Sequence, residues 1–287
     1  MGESKSEVLQ LVPDHLKPKT RLIKLPATTD EVVTLLQQEN FSLPVIFKPD
    51  LGERGWMVRR INDVEDIARY LREIKIDFIV QELVDLPLEF GVFYVRFPSE
   101  PAGRVNSITA KEFLTITGDG RQTWEQLILD SPRARLQWEK LRSVYADRLG
   151  EVLALGERKE LVSIGNHCLG TKFINGNHLI TPALNQTFNQ IAQQIPGFFF
   201  GRFDLRCASL ADLEAGRVKI LELNGCGAEP AHIYHPGASL REAMKVLFTH
   251  WHNLYRISKE NHQRGTPYLS LREGWKIYRQ FSSLTKE

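Results

Sequence analysis

Two short segments with alternating polar and apolar residues constrain this 287-residue chain most strongly. They cover residues 201–206 and 220–225. Side chains point to alternate faces of a β-strand, so Asp204 shares a face with the arginines on either side of it, and Glu222 shares one with Asn224. The intervening phenylalanine and leucines take the opposite face. Each segment is therefore predicted to be a strand with one packed face and one polar face.

The stretch between these segments favours their pairing as an antiparallel hairpin. Residues 209–217 are mostly polar and include Gly216, which suits a chain reversal. Pairing would gather Asp204, Glu222 and Asn224, whose oxygen atoms are the donors that magnesium takes from proteins. The hairpin is thus a candidate magnesium site. The alternative, from alternation alone, is an ordinary half-buried hairpin with a polar outer face.

Composition restricts the partners and the compartment. Lysine and arginine number 37 against 35 acidic residues, and no long basic run indicates nucleic-acid binding. No segment approaches the roughly 18 apolar residues of a membrane span, so no membrane partner is expected. Cys168, Cys207 and Cys226 form no CxxC pair. These features favour a soluble cytoplasmic protein, with a homodimer left open.

The pattern of apolar residues predicts two α+β lobes. Residues 1–85 are assigned to an N-terminal segment and a small lobe, residues 86–260 to a large lobe that contains the hairpin, and residues 261–287 to a helical tail. Strands are predicted at 43–47, 78–80, 90–95 and 107–116, in addition to the hairpin. Helices are predicted at 29–39, 64–74, 124–129, 136–148, 183–194, 240–257 and 268–281.

Phosphate-binding motifs of two common kinds are absent from the sequence. There is no GxxxxGK[ST], and the nearest approach to GxGxxG, at Gly225 and Gly227, has Pro230 in place of the third glycine. What remains is a strand that ends in Lys48 and a proline, followed by a loop with two glycines, at positions 52 and 55. Such a loop can fold its backbone amides over phosphates, which the lysine would neutralise; the alternative is a surface turn.

The order of these motifs resembles the ATP-grasp superfamily. Lys48 with its glycine loop is followed by the segment 79–84, by Glu89, by Asp204 and by the Glu-Leu-Asn at 222–224. Within that superfamily, residues 19–257 resemble D-alanine:D-alanine ligase-like proteins. They also resemble ligases with a glycine-aspartate-glycine signature, such as cyanophycin synthetase and relatives of glutamate-cysteine ligase. The resemblance implies two α+β lobes that hold ATP between them.

The resemblance also implies a role for each nucleotide-site residue. Lys48 would contact the phosphates, under a loop shaped by Gly52 and Gly55. The interlobe linker would read the adenine, and Glu89 would bind the ribose. The linker comprises Gln81, Glu82, Leu83 and Val84, although an acidic residue is commoner at position 81. Two magnesium ions would be held by Asp204, Glu222 and Asn224.

The catalytic roles follow from the same resemblance. Arg202 matches an arginine that stabilises the acyl phosphate in D-alanine ligases, and Lys111 occupies the place of a lysine that faces the phosphates. For Lys111 the alternative is a solvated strand lysine. The implied activity is ADP-forming ligation of a small carboxylate to an amine through an acyl phosphate. The rivals are a small-molecule kinase and a nucleotide-binding module without turnover.

Substrate contacts are the least defined part of the resemblance. Lys172, Gly225, Gly227 and Glu229 are candidates for the acceptor pocket. A glycine-aspartate-glycine at 118–120 resembles a stretch beside the substrate pocket, but it also precedes a helix-capping signal at Thr123. Relatives carry an N-terminal domain for which no room exists before Lys19, so either the sequence is a fragment or the pocket is built otherwise. The upstream phosphate lysine has two candidates, Lys19 and Lys24.

Overall fold

The computed structural model describes residues 3–52, 55–162, 165 and 170–284. The strands are β1 Thr20–Ile23, β2 Val45–Pro49, β3 Arg59–Ile61, β4 Phe78–Glu82, β5 Leu88–Val95, β6 Arg104–Glu112, β7 Leu114–Thr117, β8 Arg158–Val162, β9 Lys172–Asn175, β10 Phe200–Cys207 and β11 Lys219–Asn224. The helices are α1 Lys5–Leu11, α2 Thr29–Gln38, α3 Val64–Glu73, α4 Trp124–Asp130, α5 Trp138–Val144, α6 Pro182–Gln193, α7 Leu210–Glu214, α8 Leu240–Gln263 and α9 Leu271–Leu284. This mixture of helices and antiparallel sheets confirms the predicted α+β class.

The first sheet has the strand order β1-β4-β2-β3, with all neighbours antiparallel. Helices α2 and α3 cover one of its faces, where Phe47, Tyr70 and Phe78 form a buried aromatic cluster. Helix α2 starts after Thr28, whose hydroxyl accepts from the Glu31 amide in a capping box. The other face, which carries Lys48 and Gln81, is directed at the second sheet.

The second sheet has the order β11-β10-β5-β6-β9. Helix α6 packs against one face, where Phe188 contacts Phe203. Because side chains alternate, the burial of Phe203 and Leu205 on that side places Arg202 and Asp204 on the opposite side. The predicted separation into a packed face and a polar face is therefore confirmed for β10.

A third, two-stranded sheet pairs β7 with β8 and shares a small core with α4 and α5. The predicted single strand at 107–116 is interrupted at Phe113, between β6 and β7. The predicted helix at 136–148 is also interrupted, because 3-10 turns flank α5. Apolar periodicity marks such segments but does not reveal where the hydrogen-bond pattern changes.

The N-terminal helix α1 was not predicted. Leu9, together with Val12 and Leu16 just after the helix, is buried in the main core. At its other end the helix reaches the first sheet, where the amide of Lys5 donates to the carbonyl of Asp50 (3.1 Å). Helix α1 is thus an integral element that lies between the two larger sheets. Within the described residues, no helix has the length and apolar character of a membrane span.

Candidate functional site

The hairpin of β10 and β11 forms as predicted. The two strands are antiparallel, with Asp204 opposite Glu222 and Arg202 opposite Asn224. Directly paired residues project to the same face of a sheet. The three predicted magnesium ligands and the predicted catalytic arginine therefore share one face of the hairpin. A register shift follows Asp204, and the short helix α7 lies in the connection.

Asp204 is the buried centre of this face. Its carboxylate accepts hydrogen bonds from Arg202 Nη2 (2.9 Å) and Asn224 Nδ2 (2.8 Å), and Lys111 Nζ lies 3.1 Å from Oδ1. Burial alone would raise the pKa of Asp204, but the positive charges of Arg202 and Lys111 outweigh burial and lower it to about 2. Asp204 is therefore ionised throughout the physiological range.

A second carboxylate, Glu89 on β5, extends the network. Glu89 Oε1 accepts from Lys111 Nζ (2.9 Å), and Oε2 accepts from Arg206 Nε (2.8 Å). Burial tends to lower the pKa of Lys111, yet attraction to Asp204 and Glu89 gives a net rise. Arg206 also donates to the carbonyl of Val84 (3.1 Å), which ties the predicted linker to the second sheet. Lys111 thus lies between two buried carboxylates rather than in solvent.

Lys48 connects the first sheet to the hairpin. It is 7% exposed, and its Nζ donates to Gln81 Oε1 (3.0 Å) and to the carbonyl of Leu221 (3.0 Å). Burial lowers the pKa of Lys48 to about 8, with Glu222 offsetting part of the effect. Gln81 Nε2 donates to the same carbonyl (3.3 Å), as a glutamate at this position would not. This contact gives a physical reason for glutamine here.

Cationic side chains are grouped on this face among carboxylates. The cations are Lys5, Lys48, Lys111, Arg202 and Arg206, and the carboxylates that act on them are Glu89, Glu160, Asp204, Glu222 and Glu229. Because the charges balance, an anionic ligand would have to take cations from these carboxylates. The grouped cations are the feature of this face that suits phosphate groups.

The donor set for a magnesium ion is present but engaged with other partners. Two carboxylates and an amide are the oxygen donors that magnesium takes, usually together with phosphates. Asp204 is paired with Arg202 and Lys111, whereas Glu222 has a looser contact with Lys5, 3.8 Å between Oε1 and Nζ. The donors fit magnesium if Asp204 exchanges partners on binding. Among the described residues, no group of three or more His, Cys, Asp or Glu forms a metal site by itself.

Lys5 is a site residue that the sequence analysis missed. Its Nζ donates to the carbonyl of Gly52 (2.7 Å) in the glycine loop, and its positive charge acts on Lys48. The end of α1 is fixed by Asp50, which accepts from the Ser4 hydroxyl (2.7 Å) and the Ser6 amide (2.8 Å). Lys5 precedes Lys48 by 43 residues in the sequence, and no motif around it indicates a role at this site.

Two cavities lie on either side of α1. The larger, about 610 Å³, is lined by residues that include Leu9, Lys17, Thr20, Glu82 and Lys219. The smaller, about 140 Å³, is lined by residues that include Lys5, Leu9, Gly52, Glu222, Asn224, Gly225 and Gly227. The first is bordered by the predicted adenine linker, and the second by the predicted phosphate and metal residues. Helix α1 thus contributes residues to the lining of both cavities.

Neither upstream lysine candidate has a described contact with the glycine loop, although Lys19 lines the larger cavity. Lys19 Nζ donates to the carbonyls of Glu39 (2.7 Å) and Asn40 (3.1 Å) at the end of α2, and Lys24 is exposed. The structure therefore brings Lys5, rather than Lys19 or Lys24, to the glycine loop. The glycines at 52 and 55 have positive φ values of 155° and 73°, a region that favours glycine.

The acceptor-pocket candidates divide into two groups. Gly225 donates its amide to Glu3 Oε2 (3.0 Å), and the Glu229 carbonyl accepts from Arg202 Nη1 (3.0 Å), so both adjoin the hairpin face. Lys172 instead pairs with Glu112 (2.8 Å), the residue after Lys111, on the other face of the sheet. The structure does not bring Lys172 to the Asp204 network. Cys168 lies outside the described residues.

The glycine-aspartate-glycine stretch forms a local turn before α4. Asp119 Oδ1 accepts from the amides of Arg121 (2.8 Å) and Gln122 (2.7 Å), and a Cβ at Gly118 would meet the carbonyl of Ala154. Thr123 then caps α4 in a capping box with Gln126. These contacts explain the motif as helix initiation and close backbone packing.

Two glycines that lie against side chains of the network were also not identified from the sequence. A Cβ at Gly91, which faces Asp204 in the neighbouring strand, would lie 3.0 Å from Arg202 Cδ. A Cβ at Gly165 would overlap Glu89 and Lys111. Gly91 lies within an apolar strand, at the glycine of FGVF. A glycine inside a strand indicates only in general that another group approaches the backbone closely.

Comparison with known proteins gives structural similarity only. No family model matches the sequence, and no curated protein matches it. Similar solved structures are the VanG D-Ala:D-Ser ligase from Enterococcus faecalis (12% identity, TM-score 0.48) and the D-alanine-D-alanine ligase from Coxiella burnetii (9%, 0.48). Another is a bifunctional glutathione synthetase from Pasteurella multocida (15%, 0.44). The alignments cover 86%, 98% and 87% of this chain, respectively, and 61%, 61% and 36% of those chains.

Proposed function

We propose that this chain is an ATP-grasp enzyme that uses ATP and magnesium to join a small carboxylate to an amine, releasing ADP and phosphate. The observation that carries the proposal is the convergence of Lys48, Lys111 and Arg202 on the Asp204 carboxylate face, between the two larger sheets. These residues come from β2, β6 and β10, and they follow the order of the motifs that resemble ATP-grasp ligases.

In the first step, an oxygen of the substrate carboxylate would attack the terminal phosphorus of ATP. The bond from that phosphorus to the ADP oxygen breaks, and an acyl phosphate forms. Lys48 and Lys111 are placed to bind the transferring phosphoryl oxygens, since preorganised cations stabilise the charge that develops there. Bound magnesium, held by Asp204, Glu222 and Asn224, would neutralise phosphate charge.

In the second step, the amine nitrogen would attack the acyl carbon. The carbon–oxygen bond to the phosphate breaks, phosphate leaves, and the departing phosphate accepts the proton that the nitrogen loses. Arg202 donates to Asp204 and to the Glu229 carbonyl, and the contact with the carbonyl would keep its guanidinium oriented when Asp204 exchanges partners for magnesium. This orientation suits stabilisation of the tetrahedral oxyanion, because a preorganised donor needs little rearrangement during the reaction.

The nucleotide would occupy the cleft around α1. The adenine side is assigned to the cavity bordered by Glu82 and Thr20, and the phosphate side to the cavity bordered by Gly52 and Glu222. Phosphates entering near Glu222 would compete for the cations that now neutralise Asp204 and Glu89.

Product analysis with a panel of carboxylates and amines tests the proposal. We expect ADP and inorganic phosphate in equal amounts, only when both substrates are present, and a hydroxamate when hydroxylamine replaces the amine. ADP with a stable phosphorylated product and no free phosphate would instead identify a kinase. ATP binding without turnover for any pair in the panel would contradict the ligase and favour a nucleotide-binding module.

A further inference from the structure

The C-terminal helix α9 has no described apolar side chain that is buried by the rest of the molecule. Every described side chain from Leu271 to Arg279 is exposed, apart from Gly274, which has none. Trp275 is 56% exposed and Leu271 is 94% exposed. A single helix of about 14 residues is marginal in water without packing partners, so a surface that covers α9 would stabilise it.

The residues of α9 divide into two faces. Leu271, Trp275 and Tyr278 follow each other at spacings of four and three, which places them on one side of the helix. Arg272, Lys276 and Arg279 follow the same spacing one position later and form an adjacent basic side. Trp275 and Tyr278 stack at 5.6 Å, and Arg279 lies over the Trp275 ring at 5.5 Å. The helix thus combines an aromatic face with a row of basic residues.

The preceding helix α8 also exposes an apolar stripe. Its members occur at spacings of four, four, three and four, and they are Leu240, Met244, Phe248, Trp251 and Tyr255. On the other side of α8, Leu254 and Ile257 pack against the core near Phe93 and Phe200. The stripe is therefore an outward face of a helix that is itself anchored to the protein.

Charge distinguishes between the candidate partners for these faces. Residues 240–287 contain nine lysines and arginines against four acidic residues, whereas residues 1–239 contain 28 against 31. Two copies of the chain that met through this region would bring two basic surfaces together. Like charges oppose such contact, and a negatively charged surface attracts it.

We infer that α9 binds the interface of an anionic lipid bilayer, together with the exposed stripe of the preceding helix α8. A helix with aromatic and leucine residues on one face and basic residues along its polar side lies in the plane of such an interface. Tryptophan and tyrosine rings favour the headgroup level, because each has an apolar body and a polar group. The protein would bind peripherally, without a spanning segment.

Co-sedimentation of the full chain with vesicles tests this inference. We expect binding to vesicles of phosphatidylcholine mixed with phosphatidylglycerol, weak binding to phosphatidylcholine alone, and release by added salt. Replacing the three basic residues, with Arg272→Gln, Lys276→Gln and Arg279→Gln, should weaken binding about a hundredfold. The double variant Trp275→Ala and Tyr278→Ala should also weaken it. Leu136→Ala removes a side chain that is 80% exposed elsewhere and should leave binding unchanged.

Two results would overturn the inference. One is the absence of binding to anionic vesicles, or binding that neither set of substitutions weakens. The other is a concentration-dependent dimer, measured by light scattering, that disappears in the double variant, since it would identify a second copy as the partner. Helix α9 buries no described side chain in the core, so thermal unfolding of all variants should match the wild type, and any loss of binding reports on the helix.

Discussion

Lys111 Nζ lies 3.1 Å from Asp204 Oδ1, which joins a proposed phosphate ligand to a proposed magnesium ligand in one buried ion pair. Both side chains are less than a tenth exposed. The same ammonium also binds Glu89, so the pair belongs to a larger network of cations and carboxylates. Nucleotide binding by this network would require an exchange of partners rather than a simple addition of ligands.

Removal of Lys111 should destabilise the fold. Lys111→Met leaves Glu89 and Asp204 with one cation fewer, and breaking a buried pair costs about 3 kcal/mol or more. Urea denaturation should show this loss in the free energy of unfolding. The double variant Lys111→Met and Glu89→Gln removes one charge of each sign and should regain part of it. Equal stability of Lys111→Met and the wild type would contradict the buried network.

ATP affinity should depend on the protonation of Lys48. Its pKa of about 8 lies below the ordinary value, so the free protein loses this positive charge as the pH rises through 8. Phosphate binding favours the ammonium, and the dissociation constant for ATP should therefore rise by up to tenfold per pH unit above about 8. Calorimetric titration across this range measures the effect.

A neutral substitution provides the control for this pH dependence. Lys48→Met should bind ATP weakly at every pH, with no additional weakening near pH 8. The same pKa shift predicts that stability rises between pH 8 and the ordinary lysine value, because the unfolded chain then holds the proton more tightly than the folded one. Identical pH profiles for the wild type and Lys48→Met would contradict the role of Lys48.

Among the lysines before β2, Lys5 should contribute most to ATP binding. Lys5→Ala removes a cation that lies against the Gly52 carbonyl and near Glu222, and we expect about a tenfold loss of affinity. Lys24→Ala should change affinity by less than twofold. Lys19→Ala should mainly cost a fraction of a kcal/mol of stability, since its ammonium binds the carbonyl end of α2. A larger loss of affinity for Lys19→Ala than for Lys5→Ala would contradict the assignment.

The glycine at position 91 should be required for the position of Arg202. In Gly91→Ala, the new methyl group would lie 3.0 Å from Arg202 Cδ and 3.3 Å from Asp204 Oδ1, so one of them must shift. We expect a lower kcat with little change in the thermal midpoint. Gly150→Ala is a matched control, because its Cβ meets no atom within 4 Å. Unchanged turnover in Gly91→Ala would show that Arg202 tolerates displacement.

The sequence predicted the hairpin face well because strand alternation and a two-strand pairing are local properties. Asp204 and Glu222 could be placed on one face from the positions of Phe203 and Leu223 alone. The contacts of Asp204 with Lys111, and of Lys48 with the Leu221 carbonyl, depend on how two sheets approach each other. Alternation within one strand contains no information on contacts between sheets. Only the order of the motifs, which resembles ATP-grasp ligases, indicated that Lys48 and Lys111 belong to the same site as Asp204.

The N-terminal helix shows the opposite case. Residues 3–7 are all polar, and no motif distinguishes Lys5 from the other lysines of the sequence. Its role follows from tertiary packing, in which Leu9 enters the core and Asp50 fixes the first turn. Similarly, the break at Phe113 reflects a change of sheet partner, which a run of β-forming residues does not reveal.

The most direct measurement of the proposed activity is magnesium-dependent phosphate release from ATP by Glu222→Ala, with a carboxylate and amine pair that supports turnover by the wild type. The side chain is about one-third exposed and its described ion pair is a loose one with Lys5, so the substitution should leave the thermal midpoint unchanged. Glu112→Ala, which removes a paired carboxylate on the other face of the sheet, is the matched control. We predict that Glu222→Ala lowers turnover by at least a hundredfold while Glu112→Ala retains it. Full turnover by a folded Glu222→Ala protein would contradict the proposed magnesium and ATP site.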